Sequence, residues 1–179
     1  MSDRLGIPAD WAWLRQVHGA DVVRVLEAGA QGPGDAAYTS VPGLPIAVST
    51  ADCYPLIVES SGAVGIAHAG WRGAATGVVE ALLRGMAAAG HVPARAAIGP
   101  GIGACCFEVG PDVGERFRGH EATTDWGTTS VDLSAVVRAA LGDLEVWASG
   151  ICTMSNEAYH SHRRDATPQR QVAVAWLPA

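Results

Sequence analysis

The sequence predicts an α+β fold in which mixed β-sheets are layered with helices. Three observations carry that reading. Short apolar runs of strand character recur along most of the 179 residues. Several follow one another directly, with only turns between them. Two longer helical segments interrupt the series. Adjacent strands with interspersed helices bury their apolar faces by packing sheets and helices in layers.

Taken in order, WAWLRQVHGADVVRVLE (11–27) reads as two strands around a turn at residues 18–21. AGAQGPGDAAYTSVPG (28–43) reads as a long Gly/Pro loop, and such loops in compact domains often carry function. Residues 44–70 hold three short apolar strands, broken at residues 50–53 and 60–62. GAATGVVEALLRGMAAAG (73–90) reads as one helix closed by Gly90. ARAAIG (94–99) is a strand, and the Gly-rich turn GPGIGACCFEVG (99–110) follows it. GPDVGERFRG suits a short helix, and residues 130–143 a longer one capped by Asp132 or Ser130. LEVWASG and QVAVAWL close the chain as strands. The whole, residues 1–179, is read as a single domain.

Composition narrows the function classes. Apolar residues make up 49 % and charged residues 17 %, which suits a packed core rather than a disordered chain. The net charge is −6 and no Lys/Arg block occurs, so a broad nucleic-acid or membrane footprint is not expected. No apolar run reaches the roughly 18 residues of a membrane span, and MSDRLGIPADWAW lacks the apolar region of a signal peptide. The four cysteines, Cys53, Cys105, Cys106 and Cys152, are read as reduced thiols of a cytoplasmic protein.

Three potential metal ligands each end a predicted strand: His18, Cys53 and His68. If those ends meet, two imidazoles and a thiolate face one point. Zn²⁺ accepts such ligands at about 2.0–2.3 Å and keeps a fourth position open, and bound water there is acidified toward pKa ~7. Their spacing matches no standard ligand motif, and an isolated histidine is more often a hydrogen-bonded structural residue. Arg72 lies just ahead of the predicted helix, where free backbone N–H groups and the helix dipole favour an anion; a surface ion pair is the plainer reading. Trp71 suits either the core or stacking on a ring. Asp52, beside Cys53, suits orienting a ligand histidine, acid–base work or capping a loop, and Glu108 is a similar candidate. Cys105 and Cys106 read as small buried apolar residues. YHSHRRD (159–165) gathers two histidines and two arginines near the last strand.

Five blocks appear in one order: LRQVHGADVV, STADCYPLIV, GIAHAGWRGAATGVV, IGPGIGACCFEVG and CTMSNEAYHSHRRD. On these the chain resembles the multicopper polyphenol oxidase (laccase-like) family, whose members are also described as purine nucleoside phosphorylases and as peptidoglycan editing factors. The resemblance runs from about residue 10 to the end. It implies a zinc site at His18, Cys53 and His68. It also implies phosphorolysis of adenosine, inosine, guanosine and methylthioadenosine, with adenosine deamination as a side activity. In such a reaction Arg72 is the expected anion clamp, helped by Arg163, Arg164 and Arg170. Trp71 would contact the substrate, and Asp52 or Glu108 would supply the proton. The deaminase signature H-x-E…P-C-x-x-C is missing, so that activity would need another acid.

Two departures stand out. Chains of the family carry some tens of residues ahead of Q-V-H-G, so this one is expected to be N-terminally short. The usual Gly-Arg before the last strand is replaced by Pro168-Gln169-Arg170. Copper is the alternative ion, since Cys and His suit it equally, with polyphenol oxidation as its chemistry. A peptidoglycan-precursor editing hydrolase and an inactive zinc-binding domain also fit these residues. The expected partners are purine nucleosides and phosphate, with the choice between monomer and homo-oligomer left open.

Overall fold

The computed structural model describes residues 6–179. Residues 1–5, part of the segment read as lacking a signal peptide, lie outside it. The expected α+β layering is present as two principal sheets and a helical layer. In chain order the strands are β1 (Ala12–Arg15), β2 (Val22–Arg24), β3 (Gly29–Pro33), β4 (Ala36–Thr39), β5 (Ile46–Thr50), β6 (Tyr54–Ser60) and β7 (Ala63–Ala69). Helices α1 (Trp71–Ala75) and α2 (Val78–Ala88) follow, then β8 (Pro93–Ile98) and α3 (Pro111–Gly114), which runs into a 3₁₀ turn. The rest comprises β9 (Glu121–Thr123), β10 (Thr129–Val131), α4 (Leu133–Ala140), β11 (Glu145–Ala148), α5 (His162–Asp165) and β12 (Gln171–Ala175).

The four-stranded sheet has the order β12-β5-β1-β3 and the six-stranded sheet β11-β8-β6-β7-β4-β2. A separate hairpin pairs β9 with β10. Strand β7 lies at the centre of the assembly. All seven of its residues are buried, because one face meets α2 and the other meets the four-stranded sheet. Ile66 and Val64 pack with Ile46, Val48 and Leu14 between the sheets. Ala63, Ala67 and Ala69 pack with Leu82 and Met86 on the helical side. Gly65 permits that helix to approach: a Cβ there would sit 2.7 Å from the Met86 sulfur. A Leu82→Ala cavity in this layer would cost roughly 2–5 kcal/mol. Among the described residues no helix is long and apolar enough to cross a membrane.

The structure corrects four local expectations. Residues 11–27 do form two strands, but β1 and β2 belong to different sheets, so the turn at His18 is a crossing between layers. Residues 28–43 are not one loop. They contain β3 and β4, whose parallel pairing with β1 and β2 is a backbone property that Gly and Ala satisfy as well as larger residues. The helix expected over 73–90 is two helices, parted where Gly77 takes φ +83°. The segment 130–143 begins as strand β10 and becomes helical only at Leu133, capped by the Asp132 carboxylate accepting from the Ala135 N–H.

Candidate metal centre and active site

Three strand ends converge on one spot. Past β1 the chain crosses between sheets through residues 16–21, and His18 takes φ +60° there. Between β5 and β6 the chain turns at Asp52, with φ +82°, and delivers Cys53. His68 is the penultimate residue of β7, with Pro55 opposite it in the antiparallel pair. Positive φ is costly for residues with a side chain and persists only where the surroundings enforce it. One ligand and the neighbour of another are held in this way.

Potential ligand atoms of His18, Cys53 and His68 lie within 4.8 Å of one another. The two imidazoles meet edge to face, with centroids 4.8 Å apart. Gly70 makes room for the sulfur: a Cβ there would stand 2.7 Å from Cys53 Sγ and 3.5 Å from His18 Cδ2. His68 is 3 % exposed, and its Nδ1 lies 2.8 Å from Asp35 Oδ1. A carboxylate can only accept, so Nδ1 carries the proton and Nε2 is the nitrogen left for a metal.

Asp35 organises this wall and is not among the residues expected from the sequence. It is fully buried. Beyond His68, its Oδ1 accepts the His18 N–H at 3.0 Å, and its Oδ2 accepts those of Val17 at 3.1 Å and Gly19 at 2.7 Å. One carboxylate thus fixes the turn bearing one ligand and the ring of another. Burial pushes its pKa up, but the His68 bond and the three N–H groups outweigh burial and hold it below the ordinary value of 3.8. Burial likewise opposes the charged forms of Cys53 and His68. Their mutual contacts, with His18 on the thiol and Asp35 on the imidazole, prevail, bringing Cys53 down to about 7 and His68 up to about 9. A thiolate beside two imidazole nitrogens is the donor chemistry that zinc or copper accepts. The residues therefore fit a metal ion.

The cluster opens onto a cavity of about 490 Å³ lined by Gln16, Trp71, Arg72, Phe107, His162 and Arg163, among others. The Arg72 guanidinium stacks on Trp71, 4.3 Å from the ring centroid. It sits within the five-residue helix α1, not ahead of a long one, so little helix dipole supports it. Arg163 lies 5.6 Å from the Phe107 centroid, and its Nη1 donates to the Glu108 carbonyl. Arg170 also lines the cavity, with Nη1 donating to the carbonyls of Thr167 and Gln169. Asp52 lines it too, but both its oxygens are engaged, by the Thr153 hydroxyl and the Arg163 N–H, each at 2.7 Å.

Two expected site residues turn elsewhere. The Arg164 guanidinium donates to the carbonyls of Thr153, Met154, Asn156 and Tyr159 and to the Asp165 carboxylate, so it fastens the turn ahead of α5 and is not among the residues lining the cavity. The Glu108 carboxylate is not on the cavity wall; it accepts from the Trp126 indole. His162, which does line the cavity, stands out in the sequence only as one of two closely spaced histidines.

Mixed sheets layered with helices around a two-imidazole, one-thiolate pocket define a class of α+β protein with a candidate metal centre. The family profile described as multi-copper polyphenol oxidoreductase laccase matches residues 1–178, and the chain belongs to that family. A protein of Deinococcus radiodurans named purine nucleoside phosphorylase is 41 % identical over 97 % of this chain and 73 % of its own length. A Streptomyces coelicolor protein of the same name is 40 % identical, over 97 % and 78 %. The crystal structure of YlmD from Geobacillus stearothermophilus superposes with a TM-score of 0.90 at 31 % identity, covering 99 % of this chain and 77 % of that one.

Proposed function

We propose that the chain is a metal-dependent purine nucleoside phosphorylase acting on adenosine, inosine, guanosine and methylthioadenosine. The observation that carries this reading is a single cavity lined both by the His18, Cys53 and His68 cluster and by Arg72, Arg163 and Arg170. The relatives' shared name supports it.

In phosphorolysis a phosphate oxygen bonds to the ribose anomeric carbon as the bond to the purine nitrogen breaks. The purine leaves with the electron pair and needs a proton. Arg72 and Arg163 offer planar, permanently charged donors suited to phosphate, and their stacking on Trp71 and Phe107 limits the freedom they lose on binding. The same aromatic residues give a purine ring apolar surface. Because both Asp52 oxygens are occupied, the His162 imidazole takes the role of proton donor to the leaving purine. His18, Cys53 and His68 would hold zinc, which supplies Lewis-acid polarisation of a substrate oxygen or nitrogen.

The test is incubation of purified protein with inosine and phosphate. Hypoxanthine and ribose 1-phosphate should form together, and only with phosphate present; no product from any of the four nucleosides would refute the assignment. Adenosine serves as a second substrate, since inosine formed from it would report deamination. Elemental analysis of protein grown without added copper separates zinc from copper, which the same donors accept.

A further inference from the structure

A second cluster of metal-type donors lies outside the cavity that holds His18, Cys53 and His68. The sulfurs of Cys105, Cys106 and Cys152 all lie within 4.8 Å of one another, and the first two are 3.4 Å apart. We propose that these three thiols form a separate binding site for a soft closed-shell cation, Cu⁺ or Zn²⁺.

The geometry suits such an ion. Sulfurs bound at about 2.3 Å to one centre stand roughly 3.8 Å from each other in a tetrahedral arrangement, within the span found here. The donors are all sulfur, which selects soft cations over Mg²⁺ or Ca²⁺. They come from segments far apart in sequence that are fastened to each other. Gly101 bridges to Cys152, with the Gly101 N–H donating to the Ile151 carbonyl and the Thr153 N–H donating back to Gly101. The turn bearing Cys105 and Cys106 is pinned as well: the Cys106 and Phe107 N–H groups donate to the Gly103 carbonyl, and the Ser130 hydroxyl to that of Ala104.

Two details favour a ligand over simple packing. The Gly103 N–H points at Cys152 Sγ, at 3.2 Å, the kind of outer hydrogen bond that orients a coordinating thiolate. Gly103 also lets the sulfurs converge: a Cβ there would lie 3.2 Å from Cys105 Sγ and 3.2 Å from Cys152 Cβ. Nor is the cluster sealed. Cys106 is buried, but Cys105 and Cys152 line their own cavity of about 230 Å³, together with Tyr54, Ser134 and Gly150. That cavity gives an ion an access route and leaves room for a water or small fourth ligand. Residues 101–107 form the partition between the two cavities: Ile102 and Phe107 face the first, Gly103 and Cys105 the second.

The test uses the full chain, stripped of metal and kept reduced, titrated with Zn²⁺ and separately with Cu⁺ against a competing chromophoric chelator. The intact chain should bind two equivalents, the Cys105→Ser/Cys152→Ser variant one, and the His18→Ala/His68→Ala variant one. X-ray absorption of the metal-loaded histidine variant should show three sulfur neighbours at about 2.3 Å, and this holds even if the cysteine variant fails to fold. No equivalent bound by the folded histidine variant, or a nitrogen- and oxygen-dominated shell in it, would overturn the site. Competition between the two ions in the histidine variant then identifies the preferred one.

Discussion

On one wall of the cavity, His68 is gripped by a buried carboxylate that also accepts three backbone N–H groups. Elsewhere on the lining, a second wall carries Arg163, which comes from a four-residue helix and overlies Phe107 at 5.6 Å. The first wall is fixed by buried, charge-assisted hydrogen bonds before anything binds. The second carries its charge on long side chains held by stacking and by a few carbonyls. A metal ion tolerates little error in ligand placement, whereas phosphate can be met by side chains that adjust. The two walls should therefore fail in different ways when altered.

The largest effect is expected at the metal wall. His68→Ala should remove the equivalent of metal held by His18, Cys53 and His68 and abolish phosphorolysis, read by elemental analysis and product assay; turnover by a variant lacking that equivalent would remove the ion from the chemistry. Asp35→Asn should come next, lowering metal affinity about 10–100-fold and stability by roughly 3 kcal/mol as a buried charged pair is broken. Asp35 also sets a pH dependence. Its native pKa lies below 3.8, so its stabilisation is complete above that value and is lost as pH falls through the lower native one. Urea melts of metal-free protein should lose stability below pH 4 more steeply than those of Asp35→Asn.

At the second wall the expected changes are kinetic. Arg72→Ala and Arg163→Ala should each raise KM for phosphate or lower kcat, about 10²-fold in kcat/KM, with metal content and melting temperature unaltered. An equal loss of metal would erase the distinction between the walls. The smallest effects sharpen it. Arg164→Ala should lower the melting temperature and spare the phosphate KM, because its guanidinium is occupied by four carbonyls. Glu108→Gln should leave kcat/KM within about threefold; a larger drop would return that carboxylate to the site.

How far the sequence announces these walls follows from what each is made of. His18, Cys53 and His68 are legible because each is a ligand-type residue interrupting an apolar strand end, and strand ends are where sheets bring distant segments together. Asp35 is not, since its role comes from three consecutive N–H groups on a turn 16–18 residues earlier. The one signal is a lone acid directly before the fully buried strand β4. The arginines are visible as charges, but their partners are carbonyls, and no side-chain pattern reveals where a carbonyl points. That is why Arg163 and its neighbour Arg164 look alike in sequence and face different ways. Strands β5 to β7 are readable from their apolar runs. Strand β3, Gly29-Ala30-Gln31-Gly32-Pro33, exists through pairing with β1 and has no such run.

Gly70 ties local architecture to inheritance. Any larger residue there would crowd the Cys53 sulfur, because a single added carbon would already lie 2.7 Å from it. Positions 53 and 70 should thus change together over evolutionary time: descendants that abandon the thiol are free to fill position 70, and those that fill it first have surrendered the ion. A genome survey can use that pair of positions to sort metal-bearing chains from lapsed ones before any protein is purified.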